Sequence, residues 1–425
     1  MNTFTTLGIN ESLIQALADH KITQPTAIQK QAIPLLLQEN RDAIALAQTG
    51  TGKTAAFGLP LLQHVDIHER RVQAVVLSPT RELGQQTAKQ LGYFAKYLPK
   101  IITRVVYGGV PIGPQAKTLR PLPHVLVATP GRLIDLVERR IVNLAHVTHL
   151  VLDEADELLN MGFQPAVDQI LGFIPKERKI WLFSATMPKM IHRLVQQYMK
   201  RDHLRIMVSP SNEVNKNIAH QYIVCASDAK LHTLKSLLHQ HQDQQSIVFG
   251  KTRAIVQRIA EQLAREGLRV ASLHGDMTQH KRTKVMNSLK NGHLQALIAT
   301  DVAARGIDVK ALHAVIHYDF PDKAEHYTHR SGRTARAGQS GLSIVLITQK
   351  EVHKINRAAK LLHIRFNQIK GPNQAELKKH RLAVWTQRML KMTPTQVDPT
   401  LIQETEACFA SLSKQELITR LIATI

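Results

Sequence analysis

Short apolar runs recur along the chain, each closing on small, hydroxylated or charged residues and followed by a stretch of helical periodicity. In the front half they are Ala43 to Leu46, Ala74 to Ser78, Ile102 to Tyr107, Val125 to Ala128, His149 to Leu152 and Ile180 to Phe183. A strand without a polar face is buried on both sides, and strands alternating with helices make a parallel sheet whose ligands gather along its carboxyl edge. From Val208 to Asn217 the sequence turns polar, through Ser209-Pro210-Ser211-Asn212. Beyond it the alternation restarts with Ser246 to Phe249, a helix from Thr252 to Glu266, then Arg269 to Leu273, Leu294 to Thr300, Ala314 to Tyr318 and Leu342 to Ile347. The pattern predicts an α/β chain: a first parallel-sheet domain over residues 1–208, a linker over 209–217, a second such domain over 218–370 and a short helical extension over 371–425.

Composition narrows the function. The chain has 425 residues, enough for two or three cores, and 55 Lys and Arg against 33 Asp and Glu give a formal charge of +22. Charge of that size attracts a polyanion, nucleic acid first among them. No apolar run reaches bilayer length and Met1 to Asn10 lacks the pattern of a signal peptide, so a cytoplasmic protein with no membrane contact is expected. The two cysteines, Cys225 and Cys408, exclude a disulfide framework and a cysteine zinc site.

The first run leads into Ala47-Gln48-Thr49-Gly50-Thr51-Gly52-Lys53-Thr54, a phosphate-loop pattern with alanine in place of the usual first glycine. Backbone N–H groups and the positive end of the following helix, Ala55 to Leu62, would cradle a triphosphate. Lys53 then sits on its β and γ phosphates, and the Thr54 hydroxyl ligates magnesium. Upstream, Pro25-Thr26-Ala27-Ile28-Gln29 presents the Gln29 amide, a donor and an acceptor suited to the edge of an adenine. Asp153, directly after a buried strand, is placed to hold magnesium directly or through water, and Glu154 to align or deprotonate the attacking water. Ser184 and Thr186 are either a relay beside the acids or caps for the next helix.

Three other strand ends carry Pro79-Thr80-Arg81, Gly108-Gly109 and Thr129-Pro130-Gly131-Arg132, which offer N–H groups and guanidinium groups to a phosphate backbone. The second half has no phosphate loop, but His329-Arg330-x-Gly332-Arg333-x-x-Arg336 puts arginines three apart, on one face of a helical turn. One half thus has a triphosphate site without a cationic finger, and the other has fingers without a site.

Together these motifs resemble the DEAD-box ATP-dependent RNA helicases of superfamily 2, of bacterial type, over roughly Phe4 to Leu362, with Asp153 to Asp156 as the naming motif. The resemblance implies two tandem RecA-like domains, each a mainly parallel sheet flanked by helices, that close on ATP, magnesium and a single strand or short duplex of RNA, bound without regard to sequence. It implies adenine recognition by Gln29, ribose or phosphate contact by Asp308, and arginine fingers at Arg333 and Arg336. It implies RNA contacts from Pro79, Thr80, Arg81, Gly109, Thr129, Gly131 and Arg132, and from Gln279, Arg282 and Thr300 in the second half. Coupling of hydrolysis to unwinding is implied for Ser184, Thr186, Asp156 and His329. Lys21-Ile22 depart from the family's Gly-aromatic pair, Gly84 from its alanine, and Ala335 from a frequent glycine. A DNA translocase of the same superfamily and an ATP-gated RNA clamp are the alternative readings.

The tail carries a capping box, Ser413-Lys414-Gln415-Glu416, with Leu412 and Leu417 as a staple before an apolar stripe of Leu417, Ile418, Leu421 and Ile422. That stripe is expected to bury itself against the chain's own core, with a protein partner or a second copy as the other occupant.

Overall fold

The computed structural model describes residues 4–48, 50–208, 217–304, 312–335, 339–371 and 399–423, with Leu382, Thr386 and Leu390 between the last two. Thr49, Asp308, Arg336 and nearly all of the expected linker lie outside the described residues.

The first domain is a seven-stranded sheet of β1 (Ala43–Leu46), β2 (Ala74–Leu77), β3 (Thr103–Val106), β4 (Val125–Ala128), β5 (His149–Leu152), β6 (Lys179–Ser184) and β7 (Leu204–Met207), in the order β3-β4-β2-β5-β6-β1-β7. Every pairing is parallel. Alternate residues feed two separate cores: Ala43, Ala45, Val76 and Val151 pack on one face, and Ile44, Val75, Leu150 and Leu152 on the other. That is why these runs show no polar alternation.

The second domain contains β8 (Ile218–Val224), β9 (Ser246–Phe249), β10 (Val270–Leu273), β11 (Ala296–Ala299), β12 (Ala314–His317), β13 (Gly341–Ile347) and β14 (Asn367–Gln368), in the order β10-β11-β9-β12-β13-β8-β14. Shifted by seven, this is the order of the first sheet. The two halves are copies of one topology.

Three strands were not legible in the sequence. β7 and β14 are edge strands exposed to solvent along much of their length. β8 alternates apolar residues with Ala219 and Gln221 and includes the buried His220, so it lacks an uninterrupted apolar run. Two further expectations need correction. The arginine segment is not one helical face: its helix runs Ala324–Ser331 and Gly332 ends it. Thr334 then bridges to Leu312 and donates its hydroxyl to the carbonyl of His313 at 3.0 Å, which draws Arg333 out of helical register with Arg330. The tail forms helices Pro399–Phe409 and Lys414–Ala423 with the expected capping box, Ser413 N–H donating to Glu416 at 2.8 Å. Its described residues join none of the domain cores, and Ile418 is exposed.

Candidate active site

Strand order decides what lies beside what along each carboxyl edge. In the first sheet β5, β6 and β1 are neighbours, so the acid run, Ser184 to Thr186 and the phosphate loop stand side by side. β2, β4 and β3 are the other neighbours, and they bring Pro79 to Arg81, Thr129 to Arg132 and Gly108-Gly109 together. One half of the edge gathers the motifs expected to hold a triphosphate and the other those expected to line a backbone track.

The phosphate loop turns through Gly50 and Gly52, whose φ values of 87° and 89° a side chain rarely adopts. Gly52 is required twice over, because a Cβ there would collide with Gln29 Nε2. Gln29 itself is buried: its Oε1 accepts from the Thr26 N–H at 2.9 Å, starting helix Ala27–Gln38, and its Nε2 donates to the Gly52 carbonyl at 3.0 Å. Its amide therefore braces the loop and keeps one N–H and one lone pair in hand. Within the loop Thr51 Oγ1 donates to the Gln48 carbonyl at 2.8 Å. Lys53, first residue of helix Lys53–Gln63, is buried, and its Nζ has no hydrogen-bond partner among the described residues. A buried ammonium without a partner is costly, and an anion in the loop would satisfy it.

Across from it stand the acids. Asp153 is fully enclosed, and burial, reinforced by the neighbouring charge of Glu154 and opposed by Lys53, pushes its pKa up to about 7. Glu154 is held in the left-handed region, at φ 49°, which turns the chain from β5 into helix Ala155–Asn160. The adjacent buried carboxylates of Asp153 and Glu154, with the Thr87 hydroxyl 3.4 Å from Asp153 Oδ2, form an oxygen donor set that fits a hard divalent cation such as magnesium. Asp156 is spent internally: its Oδ2 accepts from Thr186 N and Oγ1 at 3.0 and 2.9 Å, while Ser184 Oγ accepts from the Asp156 N–H at 3.3 Å. Ser184 Oγ in turn donates to the Thr186 carbonyl at 2.7 Å. These hydroxyls tie β6 to the acid run and do not cap the next helix, whose N-cap is Pro188.

On the track side, Arg132 lies beneath the surface. Its Nη2 donates to the Val110 carbonyl at 2.7 Å, and Thr129 Oγ1 accepts from the Gly108 N–H at 3.3 Å, so both residues pin the Gly108–Val110 loop. Arg132 Nη1 remains buried without a hydrogen-bond partner among the described residues. Gly109, at φ 75°, lies against the Arg81 guanidinium so closely that a Cβ would collide with it.

The domains meet at these edges. Arg81 Nη1 donates to Gln279 Oε1 at 2.9 Å, and Arg282 grips Glu82. His329 Nδ1 lies 2.8 Å from Glu157 Oε1. Arg330 is no finger: it donates to both oxygens of Asp301 and to the Asp319 carbonyl, and lies over the Phe249 ring. Arg333 is buried and, with Arg330, His329 and Glu157, lines a small cavity between the domains. Thr300, also buried, accepts from the Ala304 N–H and heads helix Asp301–Ala304 at the end of β11. The contacts made by Glu82 and Glu157 were not singled out in the sequence, because each follows a motif residue and reads as an ordinary acidic helix start.

Comparison with known proteins agrees with this geometry. The family model for DEAD/DEAH box helicase matches residues 26–194, and that for the helicase conserved C-terminal domain matches residues 229–338. The chain is 42% identical over 381 residues to the ATP-dependent RNA helicase CshA of Limosilactobacillus reuteri, covering 89% of this chain and 76% of that protein. This chain belongs to the DEAD-box ATP-dependent RNA helicases. Saccharomyces cerevisiae Dbp5 bound to RNA and ADP BeF3 superposes on the helicase with a TM-score of 0.81 at 29% identity, over 90% of this chain and 100% of that one. Mss116p bound to single-stranded RNA and AMP-PNP gives 0.79 at 27% identity, over 96% and 85%. The helicase is an ATP-hydrolysing enzyme with two RecA-like domains, and the DNA-directed reading falls away with the family assignment. Among the described residues no helix is long and apolar enough to cross a membrane.

Proposed function

We propose that the first domain binds ATP with magnesium, that RNA lies along the carboxyl edges of both sheets, and that docking of the domains fires hydrolysis. The order of strands along those edges supports this reading, since it gathers the phosphate-binding motifs in one half and the track motifs in the other. Gln48 to Thr54 wrap the triphosphate, with Lys53 on its β and γ oxygens and Gln29 on the adenine. Thr54 and Asp153 hold magnesium, which supplies charge neutralisation on the phosphates, and Glu154 orients water. Arg333 and Arg336 reach the terminal phosphoryl group and Asp308 the ribose. An arginine finger is worth about 10³ to 10⁵ in rate, so turnover is effectively off while the domains are apart.

The track takes one strand through Pro79 to Arg81, Gly109, Thr129, Gly131 and Arg132, and through Gln279, Arg282 and Thr300. Holding a strand bent between two domains opens short duplexes locally and reads no sequence. Arg333→Ala should keep nucleotide affinity while losing RNA-stimulated turnover, and normal turnover in that variant would refute the finger. About five phosphate contacts give a log-log salt slope near −3.5 for a single strand. The exposed tail helix, with Ile418 outward, is read as a docking face for a partner protein or a second copy. Sedimentation of the full chain with and without residues 399–425 tests it.

A further inference from the structure

Helix Arg81–Phe94 buries Leu83, Gly84, Leu91 and Phe94, and on that apolar stripe sits one hydroxylated residue, Thr87, fully buried. Among the described residues its hydroxyl has a single protein partner, Asp153 Oδ2, at 3.4 Å. One turn earlier, a Cβ placed on Gly84 would meet Ser78, Val105 and Val127 at 3.6 to 3.8 Å, ordinary van der Waals contact, so this face of the helix lies against the sheet. A buried hydroxyl is unfavourable unless paired, so a valine of the same shape would suit the stripe better were packing its only task.

The same helix begins at the track. Thr80 caps it by accepting from the Leu83 N–H at 3.3 Å, Arg81 follows, and Glu82 is the residue Arg282 holds from the second domain. One rigid rod therefore touches the backbone track, the docking contact and the acid of the candidate metal site. At 3.4 Å the hydroxyl contact is long for an O–H···O bond, so a shift of a few tenths of an ångström along the rod strengthens or breaks it.

The geometry points to Thr87 as a positioning residue: its hydroxyl sets the Asp153 carboxylate for magnesium and ties that setting to the helix that meets RNA and the second domain. This rests on the reading of Asp153 as a magnesium-holding group, and the controls below separate the two.

The test uses the full chain as wild type, Thr87→Val, Thr87→Ser and Asp153→Asn. Affinity for a fluorescent ADP is measured in EDTA and across a magnesium titration, beside a thermal melt. Thr87→Val should melt no lower than wild type and bind the nucleotide equally in EDTA, yet need about three- to tenfold more magnesium for half-maximal binding. Thr87→Ser should restore the wild-type titration, and Asp153→Asn should shift it further than Thr87→Val. A wild-type magnesium titration for Thr87→Val beside a shifted one for Asp153→Asn overturns the role of Thr87 and leaves the metal reading standing. An unshifted Asp153→Asn overturns the metal reading, and the proposal with it. A Thr87→Val protein that melts lower and loses affinity equally with and without magnesium makes the residue structural only, which also overturns the proposal.

Discussion

Arg282 of the second domain places Nε and Nη2 on the same oxygen of Glu82 in the first, at 3.0 and 2.7 Å, with both side chains largely shielded from water. Truncating one partner of such a shielded pair costs about 2 kcal/mol of docking. Arg282→Ala should therefore lower RNA-stimulated ATP turnover roughly thirtyfold, while nucleotide affinity without RNA holds. Exchanging the pair, Glu82→Arg with Arg282→Glu, should recover part of the loss in the same assay, and no recovery would remove the ion pair from the account.

Docking should also depend on pH through His329. Burial alone would pull its pKa down, but the hydrogen bond to Glu157 and the charges of Asp156, Glu157 and Glu154 outweigh that and leave it raised. With the domains apart the ring titrates near about 6.5. The pair's contribution to docking is then full below that value and is lost as pH rises through the higher docked value. Fluorescence transfer between labels on the two domains, with RNA and an ATP analogue bound, should fall as pH rises beyond about 6.5. His329→Gln should flatten the dependence; an unchanged slope in that variant would point to another group.

Stability should respond to acid in the opposite sense. Burial, helped by the charges of Lys179 and His64, pushes His149 down to about 3, and burial pushes His220 down to about 4. His317 is pushed down too, by burial and then by the Arg330 charge. These rings refuse protons that the unfolded chain accepts, so their contribution is whole above the unfolded value and drains away as pH falls toward the folded values. Each such ring supplies a slope of up to about 1.4 kcal/mol per pH unit in that window. Melting temperatures should drop steadily between about pH 6.5 and pH 4, and His149→Gln should lessen the slope; a flat series would contradict the burial of these groups.

Lys21 occupies the left-handed region at φ 58°, a conformation that glycine adopts without strain. The conformation is unfavourable for a side chain by roughly 1 kcal/mol, so Lys21→Gly should raise the melting temperature by about 2 °C. Equal or lower melting would mean that the lysine makes up the difference elsewhere.

Much of this arrangement was written in the sequence. β1, β4, β5 and β9 were legible to the residue because both of their faces are buried, and the phosphate loop and acid run announced themselves through glycines and carboxylates at strand ends. What failed to show was whatever depends on partners distant in the chain. Three arginines spaced three apart looked like a helical stripe, yet Thr334 leaves the helix to reach Leu312. Arg132 looked like a free cation until its carbonyl partner at Val110 was seen, and nothing in the string marks Thr87 as the neighbour of Asp153.

The brace formed by Gln29 has a consequence for selectivity. One amide fixes the start of its own helix and the curvature of the loop at Gly52. A base that drags this amide aside would slacken the cradle below it, and one that fits would leave the cradle taut. Under the proposed adenine contact, choice of purine and hold on the phosphate tail would be a single property, inseparable by any substitution at Gln29.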